Sequence, residues 1–161
     1  MKAIVKTRPA KGAEYLDVDL PSIGPNDLLV KVQAAAICGT DNHIYDWTPW
    51  AQEQVTPPMI FGHEYAGQVV EVGSAVTGWQ VGDMVAAETH IPCQQCYQCR
   101  TGRQHTCEQM RIIGVHVNGA FAEYAALPAK GRSPADASGA APAHPAGTAG
   151  ASVVRASPAR G

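Results

Sequence analysis

Along the first 130 positions, short β-branched runs alternate with glycine and proline punctuation. Residues 1–6, 14–20, 27–34, 68–72, 84–87 and 121–127 each read as a strand on that pattern. Turn formers fall between them: residues 21–27 are dense in Pro, Gly, Asn and Asp, and Trp79-Gln-Val-Gly82-Asp83 precedes the run at 84. Residues 38–47 lack the alternation, and Thr40 or Asp41 can cap a short helix of about two turns there. Several short strands at regular spacing predict a mainly β domain, a compact barrel or sandwich, with this helix and a cysteine-rich loop as excursions.

The pattern stops at residue 130. From Gly131 onward the chain is almost entirely Ala, Gly, Pro, Ser and Arg, and Val153 and Val154 are its only branched aliphatic residues. Such a segment has no core to offer, so residues 131–161 are expected to be a disordered tail and residues 1–130 the folded domain. A flexible linker is the ordinary explanation of the tail. The favoured one, given how abrupt the change is, is translation of a GC-rich message in the wrong frame.

Composition narrows the function classes. A chain of 161 residues with 45% apolar content can build one domain with a modest core. A net charge of -2 and a pI near 6.3 leave no electrostatic footprint for nucleic acid or an anionic membrane. No apolar run approaches a membrane span, and the cysteine usage fits a soluble protein of the reducing cytoplasm.

Cys93, Cys96, Cys99 and Cys107 lie in one short loop, spaced so that four thiolates can close a tetrahedron around one zinc ion. Bacterial iron-sulfur loops share C-x-x-C-x-x-C, but their fourth cysteine comes three residues further on and is followed by proline. Here seven residues separate Cys99 from Cys107, and Glu108 follows. Disulfides are the bland alternative, yet cysteines two residues apart pair poorly. A closed four-sulfur site leaves no position for substrate, so chemistry is expected elsewhere.

A second constellation offers that position. Cys38 ends one strand, and His63 and Glu64 enter another after the apolar run 59–61. Thiolate, imidazole and carboxylate are the three ligand types zinc takes, and three protein ligands leave one site open. Singly, Cys38 reads as a small buried hydrophobe and His63 as a hydrogen-bonded core residue.

Gly62-His63-Glu64-Tyr-Ala-Gly67 followed by Gly73 and Val76, together with Cys38-Gly39-Thr40-Asp41, Val81-Gly82-Asp83 and the four-cysteine loop, resembles the zinc-dependent alcohol dehydrogenases of the medium-chain dehydrogenase/reductase superfamily. The resemblance runs from Met1 to about Ala129 and implies a GroES-like catalytic domain, a β-rich, partly open barrel. Within that superfamily, residues 38–50 and Glu88-Thr-His90-Ile look most like the L-threonine 3-dehydrogenases. Tyr45, Trp47 and Trp50 are either a helix face packed on the barrel or part of a substrate pocket.

The resemblance implies zinc-assisted oxidation of an alcohol, L-threonine giving 2-amino-3-oxobutyrate, with hydride passing to NAD. It implies two zinc ions per chain, one at Cys38 and His63 with Glu64 as ligand or as the orienting neighbour of His63, and one in the cysteine loop. Thr40 and His43 fall at the family's proton-relay positions, and His90 at a position near the substrate. His105 and His116 read as loop residues. Full-length relatives are homotetramers that continue into a Rossmann domain, whereas no G-x-G-x-x-G occurs in this sequence. The expectation is therefore a truncated or frame-disrupted product without an NAD site, inactive alone. The alternatives are a fragment of another zinc alcohol or polyol dehydrogenase, or a non-catalytic zinc-binding module.

Overall fold

The structure is a computed structural model that describes residues 1–129 and the strand Val153–Arg155. Its elements in chain order are β1 (Lys2–Lys6), β2 (Glu14–Asp17), β3 (Asp27–Ala36), α1 (Gly39–Asp46), α2 (Pro49–Gln54), β4 (Met59–Ile60), β5 (Glu64–Val72), β6 (Met84–Ala87), β7 (His90–Ile91), α3 (Tyr97–Arg100), β8 (Arg111–Ile112), β9 (Tyr124–Pro128) and β10 (Val153–Arg155). They form open antiparallel sheets, ordered β2-β1-β4, β10-β6-β5-β3-β9 and β7-β8, with no closed barrel among the described residues. The mainly β reading holds.

Alternation decides which face of the large sheet is dry. Leu28 and Val30 of β3, Val69 of β5, Val85 of β6 and Leu127 of β9 are fully buried and pack with Trp79 and Ile113 into the main core. Burying a side chain of this kind contributes roughly 1.5–3 kcal/mol, so this cluster is the main support of the fold. A second cluster, Ile44, Val55, Met59, Phe61 and Val115, seats the two helices beside the strand that leads to His63.

The sheet is longer than the pattern predicts where the sites begin. β3 runs to Ala36 and β5 starts at Glu64, because residues 34–36 pair with residues 64–66 across a register shift after Val32. The expected strand at 68–72 is therefore only the second half of β5. β2 stops at Asp17 instead of 20, and β9 begins at Tyr124 instead of 121 because Ala120 and Phe121 turn away to bond Gly62 and Phe61.

Cys38 itself occupies the cap position of α1, so neither Thr40 nor Asp41 is the first cap. Asp41 stands at the third helical position and its Oδ2 accepts the Cys38 N–H at 2.8 Å, the returning half of a capping box. α2 was not anticipated, although Pro49 at its first turn after Thr48 is an ordinary helix start. Most of the tail expected to be disordered lies outside the described residues. Val153–Arg155, however, is a strand paired with β6, and its two valines are the tail's best strand formers.

Candidate metal centres

The four-cysteine loop closes on itself. Cys93, Cys96, Cys99 and Cys107 bring their sulfur atoms within 4.8 Å of one another, and Cys93 Sγ stands 4.0 Å from Cys99 Sγ. A tetrahedron with metal–sulfur bonds of about 2.3 Å sets its sulfurs about 3.8 Å apart, whereas a disulfide needs about 2.05 Å. All four cysteines are unpaired. An iron-sulfur cluster shares the four thiolates among two or four irons and would hold at least some of the sulfurs further apart.

Backbone N–H groups aim at these sulfurs. Cys93 Sγ accepts from the amides of Gln95 at 3.4 Å and Cys96 at 3.3 Å, and Cys107 Sγ accepts from Cys93 at 3.2 Å and Gln109 at 3.4 Å. Such donors favour thiolate over thiol. The Cys96 thiol is drawn down to about 6 by the N–H groups of Cys99 and Glu108, while burial and then the neighbouring sulfurs push Cys99 up to about 12. Four thiolates this close repel one another, and a divalent cation between them removes that cost.

The second cluster is assembled from distant elements. The cap of α1 supplies Cys38, the residue before β5 is buried His63, and the first residue of β5 is exposed Glu64; their ligand atoms all lie within 4.8 Å. The Cys38 thiol is lowered by the backbone N–H of Thr40 and then by His63. His63 is raised to about 9, chiefly by the Asp41 carboxylate. Asp41 is the functional residue that sequence reasoning missed. Its Oδ1 stands 3.4 Å from His63 Nδ1 and both side chains are buried, a contact that aligns the carboxylate with the ring nitrogen without a closed hydrogen bond. A carboxylate on Nδ1 leaves Nε2 free for a metal. The signal was an acid three residues after Cys38; the sequence reads Asp41 only as a candidate cap, whereas it stands at the third helical position and reaches both Cys38 N and His63.

Of the remaining predicted residues, half-buried Thr40 is at the cluster, with its Oγ1 3.9 Å from Cys38 Sγ. His43 is exposed on α1, with Nδ1 3.4 Å from Thr48 Oγ1 and its ring 6.1 Å from that of Trp50, and no hydrogen bond joins it to Thr40. His90 is elsewhere. Its Nδ1 is 2.5 Å from Glu88 Oε1, in a cleft of about 190 Å³ lined by Asn26, Asp27, Pro92, Cys93 and Pro128 and by none of Cys38, Thr40, His43 or His63. Trp47 packs against the second core cluster, whereas Tyr45 and Trp50 are exposed. His116 accepts the Ile112 N–H at 2.9 Å and His105 is exposed, both as loop residues.

The chain is a β domain with one four-cysteine cluster and one cysteine–histidine–glutamate cluster, and both donor sets suit zinc. Residues 24–136 match the alcohol dehydrogenase GroES-like domain, and the chain belongs to that family. It is 56% identical over 130 residues to the L-threonine 3-dehydrogenase of Pyrococcus abyssi (81% of this chain, 37% of that protein) and 50% identical over 138 residues to that of Bacillus velezensis (84% and 40%). A zinc-binding dehydrogenase of Sinorhizobium meliloti solved with NADP superposes with a TM-score of 0.72 at 41% identity, covering 80% of this chain and 36% of that one. A cobalt- and zinc-bound alcohol dehydrogenase of Pyrobaculum aerophilum gives 0.71 at 33% identity, covering 81% and 40%. The chain thus spans well under half the length of the relatives it matches. Among the described residues no helix is long and apolar enough to cross a membrane.

Proposed function

We propose that this chain supplies the zinc chemistry of an NAD-dependent L-threonine 3-dehydrogenase of the cytoplasm, which oxidises the threonine hydroxyl to the ketone of 2-amino-3-oxobutyrate. The observation that carries the reading is the convergence of Cys38, His63 and Glu64 from separate elements into an open donor set. The similarity to named L-threonine 3-dehydrogenases supports threonine as the substrate. Cys38, His63 and Glu64 hold the catalytic ion; Cys93, Cys96, Cys99 and Cys107 hold the structural one. Bound at the open site, zinc supplies Lewis acidity toward a substrate hydroxyl.

The chain's own residues do the rest of the work assigned to it. Asp41 holds the His63 ring and the Cys38 backbone together, so both ligands keep their aim. The Thr40 hydroxyl, beside Cys38, both donates and accepts, and it takes up the proton the substrate gives off. His43, exposed one helical turn on, delivers that proton to solvent. No hydrogen bond joins Thr40 to His43, so a rotamer change or a water completes the path. His90, paired with Glu88, is given a substrate-side role on resemblance.

Metal content and a spectroscopic titration test this reading. The chain should take up two equivalents of zinc, one of them lost in Cys38→Ser. With cobalt in the open site, L-threonine should shift the visible absorption saturably, and the shift should vanish in Cys38→Ser. Uptake of a single equivalent, removed only by changing the loop cysteines, overturns the reading in favour of a non-catalytic zinc module. Indifference of the cobalt bands to L-threonine removes the substrate assignment.

A further inference from the structure

Three glycines distant in sequence meet directly behind His63. Gly62, with φ +91°, would place a Cβ 2.5 Å from the Phe121 ring. A Cβ on Gly114 would come within 2.5 Å of the Gly62 carbonyl oxygen, and one on Gly119 within 2.1 Å of the same oxygen and 2.7 Å of the Phe61 oxygen. In the last two cases the obstacle is backbone, which no rotamer change relieves.

The same stretch is pinned by hydrogen bonds. Gly119 N donates to Ile60 O at 2.7 Å, Ala120 N to Gly62 O at 2.9 Å and Phe121 N to Phe61 O at 3.0 Å, while Asn118 Oδ1 accepts the Ile60 N–H at 3.1 Å. Phe121 closes the stack, its ring edge-on to Phe61 with centroids 5.2 Å apart. None of these residues reaches the ligand atoms. They fix the peptide from which His63 departs, and the four-cysteine loop makes no use of them.

We infer that the turn 114–121 is a backbone clamp that aims His63, so that Asn118 and Gly119 are positioning residues for the open metal site and not for the closed one. The inference rests on the proposed function only in taking the open site to be a metal site. Displacing the Gly62 carbonyl rotates the Gly62–His63 peptide, and a ligand displaced by about 1 Å loses much of its bond.

Cobalt binding by the full chain separates the two sites, because a four-thiolate set and a mixed set absorb differently. Gly119→Ala should weaken binding at the open site at least about 100-fold and leave the four-thiolate bands unchanged. Asn118→Ala inserts no volume and deletes one hydrogen bond of this exposed residue, so it should fold even where Gly119→Ala does not; about three- to tenfold weaker binding is expected at the open site alone. Wild-type affinity there in Asn118→Ala, or equal weakening at both sites, overturns the clamp. A wild-type chain with no open-site cobalt would instead overturn the functional reading, which keeps the two failures apart.

Discussion

Replacing Lys6 with methionine should destabilise the domain by about 2 kcal/mol, although Lys6 touches neither metal site. Lys6 is fully buried, and its ammonium donates to the carbonyls of Ala10 at 2.5 Å, Gly12 at 3.0 Å and Tyr45 at 3.1 Å, with the Trp47 ring 5.0 Å away. Three acceptors match three N–H groups, so no donor is stranded. Methionine keeps the stem and removes the donors. Tyr45 O retains the Gly12 N–H at 2.8 Å, and exposed Ala10 can turn its carbonyl to water, so each of these losses is small. The Gly12 carbonyl loses its donor at about 2 kcal/mol, and the lost contact with Trp47 adds about 1 kcal/mol. Relief from burying a charge returns about 1 kcal/mol, giving the net figure. For a domain of this size that lowers the melting temperature by about 8 °C. Thermal melts followed by circular dichroism with saturating zinc measure it, and amide exchange should quicken at Gly12 and at residues 45–48. A melting temperature within about 2 °C of wild type would refute the reasoning.

Other outcomes follow from the two sites and the sheet. A strong chelator should disorder residues 92–108 before the rest unfolds, because the loop has few apolar anchors and its thiolates repel without a cation; unchanged amide exchange there after zinc removal would contradict this. Asp41→Asn should weaken metal at the open site by about 10- to 100-fold and spare the closed one, read by competition with a chromophoric chelator; equal affinity at both sites would show that the contact with His63 is idle. Gly67→Ala brings a Cβ to 2.2 Å from Lys31 O and 2.7 Å from Val30 Cγ1, so β3 and β5 must part; a loss of about 3 kcal/mol in urea melts is expected, and a loss below about 1 kcal/mol would show that the sheet gives way cheaply.

The strands were legible where one face is dry, as at residues 27–34 and 84–87, because burial then imposes a period on the residue types. It failed at Glu64, where β5 begins among residues chosen for a metal and a tight glycine approach. The four-cysteine cluster was readable as a group, since all its cysteines lie within one loop, whereas the amide donors that surround the sulfurs were not. The open site was readable only by its ligand types: that Asp41 reaches His63, that His43 faces Thr48 and that His90 sits in a separate cleft depend on how α1 and β7 dock. Lys6 carried no signal at all, since a lysine closing a strand is ordinarily solvated.

The contrast between a contiguous site and a composite one has a consequence for the order of events during synthesis. The cysteine loop has all its ligands once residue 107 has left the ribosome, and it can capture zinc while the C-terminal part of the domain is still being made. Cys38 and His63 emerge earlier but meet only when β3 pairs with β5, and the turn that clamps Gly62 arrives last, at residues 114–121. On the proposed function, the residues that are translated first therefore acquire their metal second.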